Sequence, residues 1–143
     1  MNTDTIELLS ECNAGIKMAV ASIDDVLENV ENEQLRRALV DCKRTHQELG
    51  SRTHAILNAA DEPGKGANPM ARSMSWLKTN WKLTMKPDDH TVADLIVDGC
   101  NMGVKSLTRY KNQYAAATQE AKSIASDLIR SEEQLASDLK PYL

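Results

Sequence analysis

The chain has 143 residues and a formal net charge of −4 at pH 7. That length suffices for one domain with a real core, and the charge has the wrong sign for a general phosphate-binding surface, which argues against nucleic acid as a partner. Aromatic residues make up only 3% and Phe is absent, so a core must be filled by Leu, Ile, Val, Met and Ala, which suits interlocking helices.

The acidic start from Met1 to Glu11 lacks the basic and apolar parts of a signal peptide. The first predicted helix runs over about 5–31. Asp4 is placed to cap it, with Glu7 three residues on. Leu9, Ile16, Ile23 and Val30 recur every seven residues, and Cys12, Ala19 and Val26 fill the intermediate positions. This is an unbroken apolar seam, the strongest helix signal in the chain.

The second helix is predicted over 33–60, with Asn32 as its cap. Its stripe is Leu35, Leu39, Cys42, His46, Leu49, Thr53 and Ile56. A turn this short makes the first two helices antiparallel neighbours. Cys12 then lies level with about position 50, offset from Cys42 by about 12 Å along the axis. A disulfide needs Cα atoms within about 7 Å. Three cysteines without a C-x-x-C pair therefore read as small buried residues in a reducing, cytoplasmic setting.

Residues 61–90 form the crossover, far longer than the usual helix–helix connection of about 2–8 residues. Asp61-Glu62-Pro63-Gly64 breaks the helix, and Asn68-Pro69 opens a short helix predicted over 69–85. Met70, Met74, Leu77 and Trp81 share one face of it, and Lys78, Lys82 and Lys86 another. Lys65, Arg72 and these lysines are interrupted by no acid. A basic amphipathic helix offers a surface to a protein partner or a second copy of the chain, with a membrane surface the weaker expectation. The reading weighed ahead of both is that its apolar face packs on its own bundle and the lysines are solvated. Nowhere does a run of about 18 apolar residues mark a membrane span.

The third helix is predicted over 91–116, capped by Thr91. Its stripe is Ile96, Cys100, Gly103, Leu107, Tyr110 and Tyr114. Gly99 and Gly103 leave a flat patch where a neighbouring backbone could approach. The fourth, over 119–140, starts at Thr118 with the stripe Ala121, Ile124, Leu128, Leu135 and Leu139. The expected fold is all-α: a single four-helix bundle of two antiparallel hairpins joined by a long crossover.

Two long hairpins with such a crossover resemble the ferritin-like superfamily. Ile6-Glu7-Leu8-Leu9, Leu35-Arg36-Arg37-Ala38-Leu39, Trp76-Leu77-Lys78 and Gly99-Cys100-Asn101-Met102-Gly103-Val104 are similar to a group of uncharacterised bacterial domains within it. The resemblance covers nearly the whole chain and implies an architecture rather than an activity. It also implies a site to search for: a di-metal centre held by a Glu from each of two helices and a Glu-x-x-His pair from each of the other two. No Glu-x-x-His occurs. The positions three before His46, His54 and His90 are Lys43, Ser51 and Pro87, and three after Glu132 stands Leu135. Glu11, Asn13, Asp94 and Asp98 all lie off or beside the stripes.

His46 alone among the histidines sits on an apolar stripe. It reads as a core imidazole bonded to a neighbour such as Thr53, or as the remnant of a metal site with Glu132. No nucleophile motif or phosphate loop is present. The expectation is a non-enzymatic interaction or structural protein with a degenerate or absent di-metal site. The alternative is a metal-binding protein or weak oxidase holding Fe or Mn on an incomplete ligand set.

Overall fold

The computed structural model describes residues 1–60 and 87–143. They form four helices: α1 (Thr3–Leu27), α2 (Glu33–Ala59), α3 (Asp89–Gln113) and α4 (Gln119–Leu139), with a 3-10 turn at Lys140–Tyr142 closing the chain. No strand occurs among the described residues, and none of the described helices is long and apolar enough to cross a membrane. Met70, Met74, Leu77, Lys78, Trp81 and Lys82, with the helix expected over 69–85, lie outside the described residues.

The seams become the core. Leu9, Cys12 and Val26 are fully buried, and Ile16, Ile23 and Val30 nearly so. On α4 the entire predicted stripe is buried. Leu57 takes the last core position of α2, while Ile56 is half-buried. α1 packs chiefly on α2, α3 on α4, and α2 on α4, with the α1–α3 face looser. The core divides into two clusters. One gathers around Leu8, Leu9, Leu49, Leu107, Ile124 and Leu128. The other gathers around Val26, Leu35, Leu39, Val92, Ile96 and Leu139.

Helix ends differ from expectation where tertiary bonds compete with local ones. Asn2, not Asp4, caps α1 by accepting the Thr5 N–H at 2.8 Å. Asp4 is engaged elsewhere, accepting the Ala116 N–H at 2.9 Å, while Thr5 Oγ1 accepts the Thr118 N–H. α1 also stops at Leu27 rather than near Glu31. Asn29 and Val30 close tight turns onto Val26 and Leu27, and the Arg36 guanidinium donates to the Leu27 and Val30 carbonyls. The Leu27 carbonyl is among the orphans every helix end must satisfy. Asp88 rather than Thr91 caps α3, accepting the Thr91 N–H at 2.9 Å. Hydrogen bonds from Thr91 hold the Asp88 carboxyl below the usual range. Asp89 reaches across to accept the Glu31 and Asn32 N–H groups. The caps expected at Asn32 and Thr118 are present.

Candidate functional site

Between the two core clusters the apolar packing is interrupted by a polar waist. Its centre is His46 of α2, 1% exposed, facing Glu132 of α4, 8% exposed. Glu132 falls four residues after Leu128 and three before Leu135, so helical periodicity places its carboxylate on the buried stripe.

The imidazole is oriented by its own helix. His46 Nδ1 lies 3.0 Å from the Cys42 carbonyl oxygen. A carbonyl only accepts, so Nδ1 carries a proton and donates it there. Thr53 is not the partner; its hydroxyl donates to the Leu49 carbonyl. Ser131 Oγ and Cys42 Sγ lie 3.4 Å and 3.5 Å from the same nitrogen. With Nδ1 committed, Nε2 points to Glu132 Oε1 at 3.8 Å. An unprotonated Nε2 facing an ionised carboxylate would set two lone pairs against each other in a poorly solvated place. A proton on Nε2 removes that repulsion, and an imidazolium–carboxylate ion pair across 3.8 Å is the arrangement the geometry favours. Burial alone would push the imidazole below its ordinary value. Its contacts with Cys42 and with the Glu132 carboxylate outweigh burial and hold it up at about 10.

Gly103 of α3 explains how a carboxylate fits here. A Cβ on Gly103 would lie 2.7 Å from Glu132 Oε1 and closer still to Oε2. The flat patch expected at Gly99 and Gly103 thus receives no neighbouring backbone at Gly103; it receives the Glu132 side chain. Gly99 has nothing within 4 Å of where its Cβ would be. The sequence signal for this was present but unread: one acid on an apolar stripe, matched by a glycine on the stripe of a partner helix.

A pocket of about 270 Å³ opens beside the pair. His46, Glu132, Cys42 and Cys100 line it together with Ile23, Ile96 and Leu135. Gly99 is half-buried and Met102 is 53% exposed, so among the described residues the mouth lies between α1 and α3. A smaller cavity of about 150 Å³ touches the pair from the other side, against Ile16, Leu107 and Leu128. Glu132 Oε2 is buried and has no hydrogen-bond partner.

The thiols are free and buried at all three positions. Burial, reinforced by Glu11, pushes the Cys12 thiol up to about 12. Burial, then the nearby Glu132 and Cys42, also pushes Cys100 up. Cys42, His46 and Glu132 stand in the order thiol, imidazole, carboxylate. They do not form a nucleophilic triad, because the Nδ1 proton is held by the Cys42 carbonyl and α2's mid-helix N–H groups are spent within the helix, leaving no oxyanion donors from α2.

Among the described residues the donors at this level fall short of a di-metal set. His46 and Glu132 come together as the metal reading required, but they supply one imidazole and one carboxylate. Asp94 and Asp98 are exposed, Glu11 is half-buried beside the smaller cavity, and Asn13 is buried with its Nδ2 unpartnered. Among the described residues no group of three or more His, Cys, Asp or Glu side chains is gathered closely enough to hold a metal ion. Comparison with protein-family models, with curated proteins and with solved structures returns no match to this chain.

Proposed function

We propose that this chain is a non-enzymatic, ferritin-like helical bundle of bacterial, cytoplasmic type. Its centre carries a His46–Glu132 ion pair where a di-metal site would lie, and its role is structural or in protein interaction. The observation that carries the reading is the single buried carboxylate, already matched by an imidazole and cradled by Gly103. Two ions would need several more acids at this level.

Support for the ferritin-like topology comes from the helix ends. The start of α1 is bonded to the α3–α4 turn through Asp4 and Thr5. The α1–α2 turn is bonded to the start of α3 through Asp89. These bonds support a reading as two antiparallel hairpins, in a bundle of helices roughly 40 Å long. On the partner side, the sequence offers the Met70/Met74/Leu77/Trp81 face, with Lys78 and Lys82, to a second copy or another protein.

The test is metal content and thermal stability. A ligand that binds the folded state raises the melting temperature by mass action. The expected outcome is a negligible shift with Fe(II), Mn(II) or Zn(II) and substoichiometric metal after purification. A clear shift that His46→Ala abolishes would replace this reading with the metal-binding alternative. Light scattering of the wild type and Trp81→Ala tests the homodimer: a dimer that dissociates on substitution supports the interaction role.

A further inference from the structure

The pocket of about 270 Å³ between α1 and α3 is larger than a close-packed interior leaves by accident. For scale, an engineered apolar cavity of about 150 Å³ binds benzene, so this one has room for roughly eight to eleven non-hydrogen atoms.

The polar groups at its inner end are already engaged. His46 Nδ1 donates to the Cys42 carbonyl, and Nε2 faces Glu132 Oε1. Glu132 Oε2 is sealed from water and lies against Gly103, which does not line this pocket. The walls are Ile23, Ile96, Leu135 and Gly99, with Cys42 and Cys100 as small hydrophobes. Ser22 adds a hydroxyl, half-buried on the α1 side. A charged or hydroxyl-bearing group carried to the inner end would therefore lose its water without gaining a partner. The space suits a neutral hydrocarbon.

Sulfur narrows the class. Met18 of α1 and Met102 of α3 line the pocket, one half-buried and the other 53% exposed. A thioether is polarizable, adapts through three rotatable bonds, and gains from an aromatic ring about 5 Å away. Among the described residues no aromatic side chain lines this pocket. A ring brought in from outside would complete those contacts.

We infer that this pocket is a binding site for a small, neutral arene of about the size of ethylbenzene, held at the mouth by the Met18 and Met102 thioethers. The inference does not depend on the absence of metal chemistry, and its test runs in EDTA so that the two readings fail separately.

NMR titration of the ¹⁵N-labelled protein compares ethylbenzene with ethylcyclohexane, its saturated counterpart, and with 4-ethylphenol and 4-methylbenzoate. A featureless apolar hole would favour the saturated ring, which buries more apolar area. Two thioether–ring contacts correspond to about tenfold in affinity. The expected result is ethylbenzene about tenfold tighter than ethylcyclohexane, with shifts centred on Ala19, Gly99 and Met102. The phenol and the carboxylate should both bind more weakly than ethylbenzene. No binding, equal or tighter binding of ethylcyclohexane, tighter binding of either polar analogue, or shifts centred elsewhere overturns the inference. The double variant Met18→Leu, Met102→Leu keeps apolar side chains and removes the sulfurs. It should bind ethylbenzene and lose most of the preference over ethylcyclohexane; an unchanged preference overturns the inference. Gly99→Leu fills the pocket from a position with nothing within 4 Å of its Cβ. It should abolish ethylbenzene binding while helical circular dichroism is retained; a folded Gly99→Leu protein that binds as tightly as wild type also overturns it.

Discussion

The two halves of the bundle are built from the same kinds of residue and end up different. The half around Leu8, Leu9, Ile124 and Leu128 borders the smaller cavity, through Ile16, Leu107 and Leu128. The half around Val26, Leu39, Ile96 and Leu135 is equally apolar but contains two cysteines, Cys42 and Cys100, and borders the larger pocket. The polar waist between them meets both. Cysteine and glycine are small, so they leave volume where leucine would close it. Open space beside a charged pair is the result.

The largest effect should come from breaking the waist. His46→Leu leaves Glu132 buried without its counter-charge and should cost about 3–5 kcal/mol in urea denaturation at pH 7. Adding Glu132→Leu should restore much of that loss, because the double variant buries no charge. Leu9→Ala, at a fully buried position that lines neither cavity, should cost about 3–4 kcal/mol, whereas Leu135→Ala at the pocket wall should cost about 2, since its missing atoms extend an existing space. Equal costs would break the distinction between the halves.

The waist should also show in pH dependence. The His46 imidazole is held above its ordinary value of 6.5, at about 10. The folded state therefore binds the proton more tightly than the unfolded chain. That contribution is complete below pH 6.5 and drains away as pH rises toward 10. Denaturation midpoints measured across this window should fall in the wild type by more than in the double Leu variant. Smaller still are the two glycines, and they should differ in sign. Gly103→Ala drives a Cβ into the Glu132 carboxylate and should destabilise by about 1–2 kcal/mol despite better helix propensity. Gly99→Ala meets nothing and should stabilise by up to about 1 kcal/mol. Melting curves of the two variants side by side check this.

Much of this was readable from periodicity. Leu9, Ile16, Ile23 and Val30 could be assigned to a core because one helical face repeats regardless of what packs on it. Helix ends were less legible. Asp4 and Asn2 are both competent caps, and the choice is made by Ala116, more than a hundred residues away. Likewise Arg36, on the next helix, decides where α1 ends. His46 and Glu132 stood out as single polar residues among apolar neighbours, but their meeting depends on the register between α2 and α4. The role of Gly103 depends on a third helix again. Each added element multiplies the arrangements a linear pattern allows.

The three buried thiols give the molecule its own opening gauges. A thiol whose ionisation is suppressed by burial reacts with an alkylating reagent only when its surroundings part. Cys12 belongs to the half around Leu8 and Leu9, and Cys100 to the half with the larger pocket. Their labelling rates, read one at a time by mass spectrometry, therefore report how often each end of the bundle breathes. A shared rate means that the bundle opens only as a whole. A faster Cys100 means that the pocket side opens by itself, and a molecule lodged there would slow that clock and leave the one at Cys12 running.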